Sequence, residues 1–207
     1  MNLDLSGKPK SDNRTLAIAL AIAAAGLLLF AAFSKSWVAR PAPVDIGFGP
    51  RGCHNCAMFS GEDGGGDMSN FAFIETLRDK ATEMFGSDEQ AHASAAFAPM
   101  GMATFVLLLI AGLGLLAAAG LAAKKIRRDL PIAPTTVALL GLMASLLTAC
   151  VFVATKPGGP GFVGVSMGFW CYGIGAVLGI ASAQMLAKLL RPVDPDLLDG
   201  AMSPDQY

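Results

Sequence analysis

Residues 97–129, "FAPMGMATFVLLLIAGLGLLAAAGLAAKKIRRD", decide the fold. No residue from Pro99 to Ala123 carries a charge, and Thr104 is the one polar side chain there. At 1.5 Å per residue, a helix of that length spans a hydrocarbon core of about 30 Å. Lys124, Lys125, Arg127 and Arg128 follow at once, against the single acid Asp129. The stretch therefore reads as a membrane-crossing helix. The basic turn marks its cytoplasmic end, because Lys and Arg concentrate in cytoplasmic loops. Pro99 suits a first helical turn, where its missing N–H costs nothing.

Three more charge-free stretches lie outward from this one, at 15–33, 131–155 and 157–187. Only 15% of the 207 residues are charged and 54% are hydrophobic, whereas soluble domains carry about a quarter charged residues. In lipid, a single segment satisfies its own backbone polar groups only as a helix. The expected fold is an all-α membrane protein, a four-transmembrane-helix up-down bundle. Its spans are 15–33, 99–123, 132–155 and 162–187. The linking pieces are an N-terminal tail 1–14, a cap 34–98, a cytoplasmic loop 124–131, a short outer turn 156–161 and a tail 188–207. The apolar run of the first span exceeds the 7–15 residues of a signal-peptide core, so it is read as a retained anchor.

The 34–98 segment holds five basic and nine acidic residues. This charge asymmetry places it outside a plasma (inner) membrane, with both termini cytoplasmic. Trp37 and Arg40 then stand as outer interface anchors, and Lys124, Lys125, Arg127 and Arg128 as inner ones. The cap is expected to hold a short strand at "VDIGFG", a turn and an amphipathic helix from about Asn70 to Phe85. Phe71, Ile74, Leu77 and Met84 form the apolar face of that helix. "SGEDGGGDMSN", with Gly64, Gly65 and Gly66 between Asp63 and Asp67, reads as a solvated turn rather than a calcium loop.

The chemistry available to the chain is limited. The spans contain no ionisable side chain in their cores, which argues against ion coupling or proton pumping. No phosphate loop, zincin motif or nucleophile elbow is present. His54 and His92 are the only histidines, so no two-histidine haem is expected, and no cofactor, metal or nucleic-acid partner. Cys53 and Cys56 flank His54 and Asn55 on the oxidising side. Three uses remain open: a structural disulfide, a thiol–disulfide exchange centre, or a metal site with His54 and His92. The first is the main reading. Cys150 and Cys171 are lone membrane cysteines and read as small packing residues.

The fourth span carries Gly164, Gly168, Gly175, Gly179 and Ala183, mostly at four-residue steps. Such small-residue stripes let helices approach closely in lipid, within one chain or between copies. The expected partners are the lipid bilayer and a protein partner or second copy, met through this stripe or through the cap.

The layout resembles the claudin and peripheral-myelin-protein superfamily of tetraspans. Trp37, then "IGFGPRGCHNC" and then the amphipathic helix follow that family's order of a Trp after the first span, a two-cysteine motif and an outer helix. The resemblance implies a non-enzymatic interaction or scaffold protein, or an accessory subunit of a membrane complex. In span count and C-x-x-C spacing the chain also resembles the disulfide-generating quinone reductases of bacterial inner membranes. That likeness implies an alternative, an outer-facing thiol oxidoreductase with Cys53 and Cys56 as catalytic residues, although "TKPGGPGFVG" lacks the second cysteine pair of those enzymes.

Overall fold

A computed structural model describes residues 11–40, 45–56, 66–87, 94–124, 132–157 and 163–190. Residues 1–10, 41–44, 57–65, 88–93 (with His92), 125–131, 158–162 and 191–207 lie outside them. Four helices are long and apolar enough to cross a membrane. They are α1 (Ser11–Phe33), α3 (Phe97–Ala123), α4 (Pro134–Ala154) and α5 (Met167–Leu190). The cap comprises helix α2 (Asn70–Phe85) and five short strands: β1 (Val38–Arg40), β2 (Ile46–Phe48), β3 (Gly52–His54), β4 (Met68–Ser69) and β5 (Gly164–Val165).

The long helices form an antiparallel bundle in which α3 packs on α4, and α1 on both α3 and α5. Leu28, Leu108, Leu115 and Leu142 fill its centre, fully buried. Leu140, Leu147, Ile174 and Val177 point outward and are more than half exposed, so the bundle carries a large exposed apolar surface, as helices long and apolar enough to cross a membrane would. Polar side chains also join the helices. The Thr104 hydroxyl donates to Thr148 Oγ1 at 2.9 Å, and Ser145 Oγ lies 3.2 Å from the Tyr172 hydroxyl. Each such bond contributes about 0.5–2 kcal/mol within a membrane.

Basic side chains mark the end of the bundle opposite the cap. Arg14 Nη2 donates to the Ala122 carbonyl and, at 2.9 Å, to that of Ala123. These are among the unpaired carbonyls at the C-terminus of α3, where a cation also meets the negative end of the helix dipole. A 30 Å layer takes about 20 helical residues. Measured from Arg14, Ala122, Pro134 and Lys188, such a layer would end near Ser34, Met102, Ala154 and Gly168. These positions converge in space. A Cβ on Gly168 would lie 2.6 Å from Ser34 Oγ, and one on Gly101 3.0 Å from the Phe152 ring. The cap stands at this end of the bundle.

The cap is richer than the single strand expected. Its sheet is antiparallel, in the order β4-β3-β2-β1-β5. β5 comes from the second connection, where Val165 pairs with Val38. The fourth long helix therefore begins at Met167 rather than 162, and Gly164 belongs to a strand. Residues 163–166 are as apolar as the helix that follows, so hydropathy does not divide them; pairing with β1 does.

A run of rings fastens the cap to the bundle. Trp37 lies edge-on to Phe152, which stacks on Phe97, and Phe97 meets Phe48, which contacts Phe73 of α2. The centroid distances are 6.1, 4.6, 5.8 and 5.0 Å, all within the range of favourable aromatic pairs. The β2–β3 turn is wedged between helix ends. A Cβ on Gly49 would lie 1.8 Å from the Ser34 carbonyl oxygen, so no larger residue fits there. Asn70 Nδ2 clamps this turn by donating to the Gly49 and Pro50 carbonyls at 2.9 and 3.2 Å.

Candidate functional site

Cys53 and Cys56 are joined by a disulfide, with their Cα atoms 5.9 Å apart. Cys53 ends a buried stretch of β3, and the chain then turns back through Asn55, whose φ is 56°. Asn is among the few residues that tolerate this left-handed conformation. Its Nδ2 also donates to the Asp45 carbonyl at 2.9 Å, tying the turn to the start of β2. Both cysteines are 0% exposed and belong to the core that holds Trp37 and Phe48. An attacking thiolate needs a path to a sulfur, and in this arrangement core packing covers both.

His54 has a partner that the sequence did not reveal. In the β3–β4 ladder Cys53 faces Met68, so the antiparallel register sets His54 opposite Asp67. His54 Nδ1 lies 2.7 Å from Asp67 Oδ1, and Lys35 Nζ donates to Oδ2. The Lys35 ammonium first, and the His54 ring second, hold the Asp67 carboxyl below the usual carboxylate range. All three side chains are more than 40% exposed. Solvent screening therefore keeps each pair within about 1 kcal/mol. The group links the end of α1 to the end of β3 and to the start of the edge strand β4, and marks a charged surface on the cap. Asp67 was visible only as one acid in a glycine-rich turn; strand register is what aims it at His54.

The small-residue stripe lies inside the molecule. A Cβ on Gly175 would press on Leu27 and Leu28 of α1, and one on Gly179 on Leu142 and Leu115. Gly168 abuts Ser34 and Trp37, and Ala183 is fully buried. Gly164, in β5, has open space around it. The close approach thus joins α5 to α1, α3 and α4 of the same chain.

Trp37, expected as an interface anchor, is completely buried. Its Nε1 donates to the Ala31 carbonyl at 2.7 Å, and its ring stacks on Tyr172 at 4.9 Å. Trp170, near the cap end of α5, is the exposed tryptophan, at 64%. Arg40 ends β1 exposed, and Lys124 caps the C-terminus of α3. Lys125, Arg127 and Arg128 lie outside the described residues.

On α2, Ile74 is buried and Leu77 packs against the core, while Phe71 and Met84 are 50% and 67% exposed. Half of the apolar face thus covers the sheet and half remains open. Ser69 caps the helix by accepting from the Ala72 N–H, and Gly86 ends it with φ 76°. Cys171 is buried, and Cys150 is exposed on the outward face of α4. No protein-family model matches the chain, and no curated protein matches it in sequence.

Proposed function

We propose that the chain is a non-enzymatic tetraspan of the plasma (inner) membrane. Its termini would be cytoplasmic and its cap outside, and it would act as an interaction scaffold or an accessory subunit of a membrane complex. The observation that carries this reading is the sealed disulfide. Cys53 and Cys56 are 0% exposed, at the end of a sheet bonded to both cap-side connections of the bundle, which suits a strut better than a reagent. The location rests on the basic residues gathered at one end of the spans. Because the stripe of α5 is covered within the chain, the partner surface falls to the cap. Likeness to the claudin and peripheral-myelin-protein superfamily belongs to the same proposal. It is supported by the order Trp37, strand, cysteine pair and outer helix, and by one sheet shared between the two connections.

The test is alkylation of the native full chain after acid quenching, with and without reductant, followed by mass analysis of Cys53 and Cys56. A pair that is uniformly oxidised and resists mild reductant in the folded state is expected. A cycling free thiol or a trapped mixed disulfide at either position would instead establish the oxidoreductase alternative. Protease protection in intact cells tests the topology independently, since cleavage in the cap from outside is expected.

A further inference from the structure

A groove of about 370 Å³ lies where α2 passes the first turn of α3. Phe71 and Ile74 line it from the cap helix and Pro99 from the bundle, giving it an apolar floor. Glu75, Arg78 and Asp79 also line it, so one cation and two carboxylates share the opening. None of these three side chains has an ion pair or hydrogen bond among the described residues. Residues three and four apart on a helix are surface neighbours, with Cβ atoms about 5–6 Å apart. Opposite charges thus stand side by side, unpaired, over an apolar trough.

The depth of the groove says what meets it. The cap-side limit of a 30 Å layer measured from Ala122 falls near Met102, about 20 residues along. Pro99 lies one turn beyond it, at the level of lipid headgroups. Phe71 and Phe85, both at least half exposed, flank the same side of α2.

We propose that this groove binds a membrane phospholipid whose zwitterionic headgroup carries a primary ammonium. Arg78 takes the phosphate, as guanidinium groups do. Glu75 and Asp79 accept from the ammonium, and the glycerol and upper acyl carbons lie on Phe71, Ile74 and Pro99. An anionic lipid would satisfy Arg78 but set its charge against both carboxylates. A quaternary ammonium lacks the N–H donors that the carboxylates await. The proposal rests on the membrane reading above.

The test is native mass spectrometry of the purified full chain in mild detergent, supplied with equal amounts of phosphatidylethanolamine, phosphatidylcholine and phosphatidylglycerol of one acyl composition. Ethanolamine-lipid adducts should exceed choline-lipid adducts at least about tenfold, the discrimination one charge-assisted hydrogen bond supports. Arg78→Gln should lower both zwitterionic adducts, and Glu75→Gln with Asp79→Asn should bring their ratio to about one. Lys80→Gln, about 140° around α2 from Glu75 and outside the groove lining, should change neither. Equal adducts on the unaltered chain, or a ratio indifferent to the groove variants, would overturn the site. So would displacement by water-soluble phosphoethanolamine at equal concentration. Carbonate extraction of membranes separates the two readings: a chain in the pellet with equal adducts refutes the groove alone, and a chain in the supernatant refutes both.

Discussion

Trp37 should be the most costly single side chain to remove. It is fully buried. Its ring contacts Phe152, Phe169 and Tyr172, and its Nε1–H reaches the Ala31 carbonyl at 2.7 Å near the end of α1. Trp37→Ala would open a cavity between cap and bundle and cost about 3–5 kcal/mol. Trp37→Phe would keep a ring in place but lose the N–H donor. The Ala31 carbonyl would retain only the longer bond from Ser34 N at 3.3 Å. The hydrogen bond accounts for about 0.5–1.5 kcal/mol, and the smaller ring adds a similar amount. The assay is thermal unfolding in mild detergent, followed by near-ultraviolet circular dichroism, which reports the packing of these rings. At about 2–4 °C per kcal/mol for a chain of this size, Trp37→Ala should lower the midpoint by roughly 6–20 °C and Trp37→Phe by roughly half as much. Equal losses for the two variants, or a Trp37→Ala midpoint within about 2 °C of the parent, would refute Trp37 as the joint between cap and bundle.

Gly168→Ala should cost more than about 2 kcal/mol, because the new Cβ would lie 2.6 Å from both Ser34 Oγ and Trp37 Cδ1. Gly173→Ala on the same helix meets nothing within 4 Å and should stabilise slightly, so comparing the two melting points isolates the close approach. Asn70→Asp should destabilise by about 2–5 kcal/mol, since it replaces two donated hydrogen bonds with a carboxylate facing the Gly49 and Pro50 carbonyls; Asn70→Ala should cost less in the same melts. The depressed pKa of Asp67 makes a pH prediction: the stability it contributes is present above the ordinary carboxylate pKa and is lost as pH falls through the lower folded value. Asp67→Asn should therefore lower the midpoint slightly at pH 7 and flatten its decline below pH 4, by about 1 kcal/mol at most because the pair is exposed.

The sequence disclosed the parts of the fold that depend on composition, and hid those that depend on pairing. Four charge-free runs identify the spans because an ionisable group in hydrocarbon costs several kcal/mol, a bias that accumulates over about 20 residues. The α2 helix was also visible, since the spacing from Phe71 to Phe85 is a local signal; the structure adds its caps, Ser69 and Gly86. The sheet was not. Each strand has two or three residues, too few for alternation to register, and β5 arrives from more than 120 residues beyond β1. Asp67 was overlooked for the same reason, because its pairing with His54 follows from the β3–β4 register. The stripe on α5 was legible as a close-packing surface, but its partner was not: the spacing of Gly175 and Gly179 is the same whether the facing leucines belong to this chain or to another.

The cap and the bundle share one packing unit, and this bears on how such a protein could act. The ring sequence from Trp37 to Phe73 has no polar gap. Beside it, the backbone of Ser36 and Trp37 bonds directly to the start of α5 through Gly168 N and Ser166 N, each at 2.8 Å. A cap held this way cannot tilt without opening apolar core, and interiors packed to crystal-like density resist such opening. The exposed surfaces on it, the Lys35–Asp67–His54 group and the groove beside α2, are therefore held in set positions relative to the bundle. A scaffold gains from that arrangement, because a partner meeting a preorganised surface loses less conformational freedom on binding. If the chain acts as the scaffold proposed above, Gly168→Ala, deep below the cap surface, should weaken binding through the cap more than Gly173→Ala does.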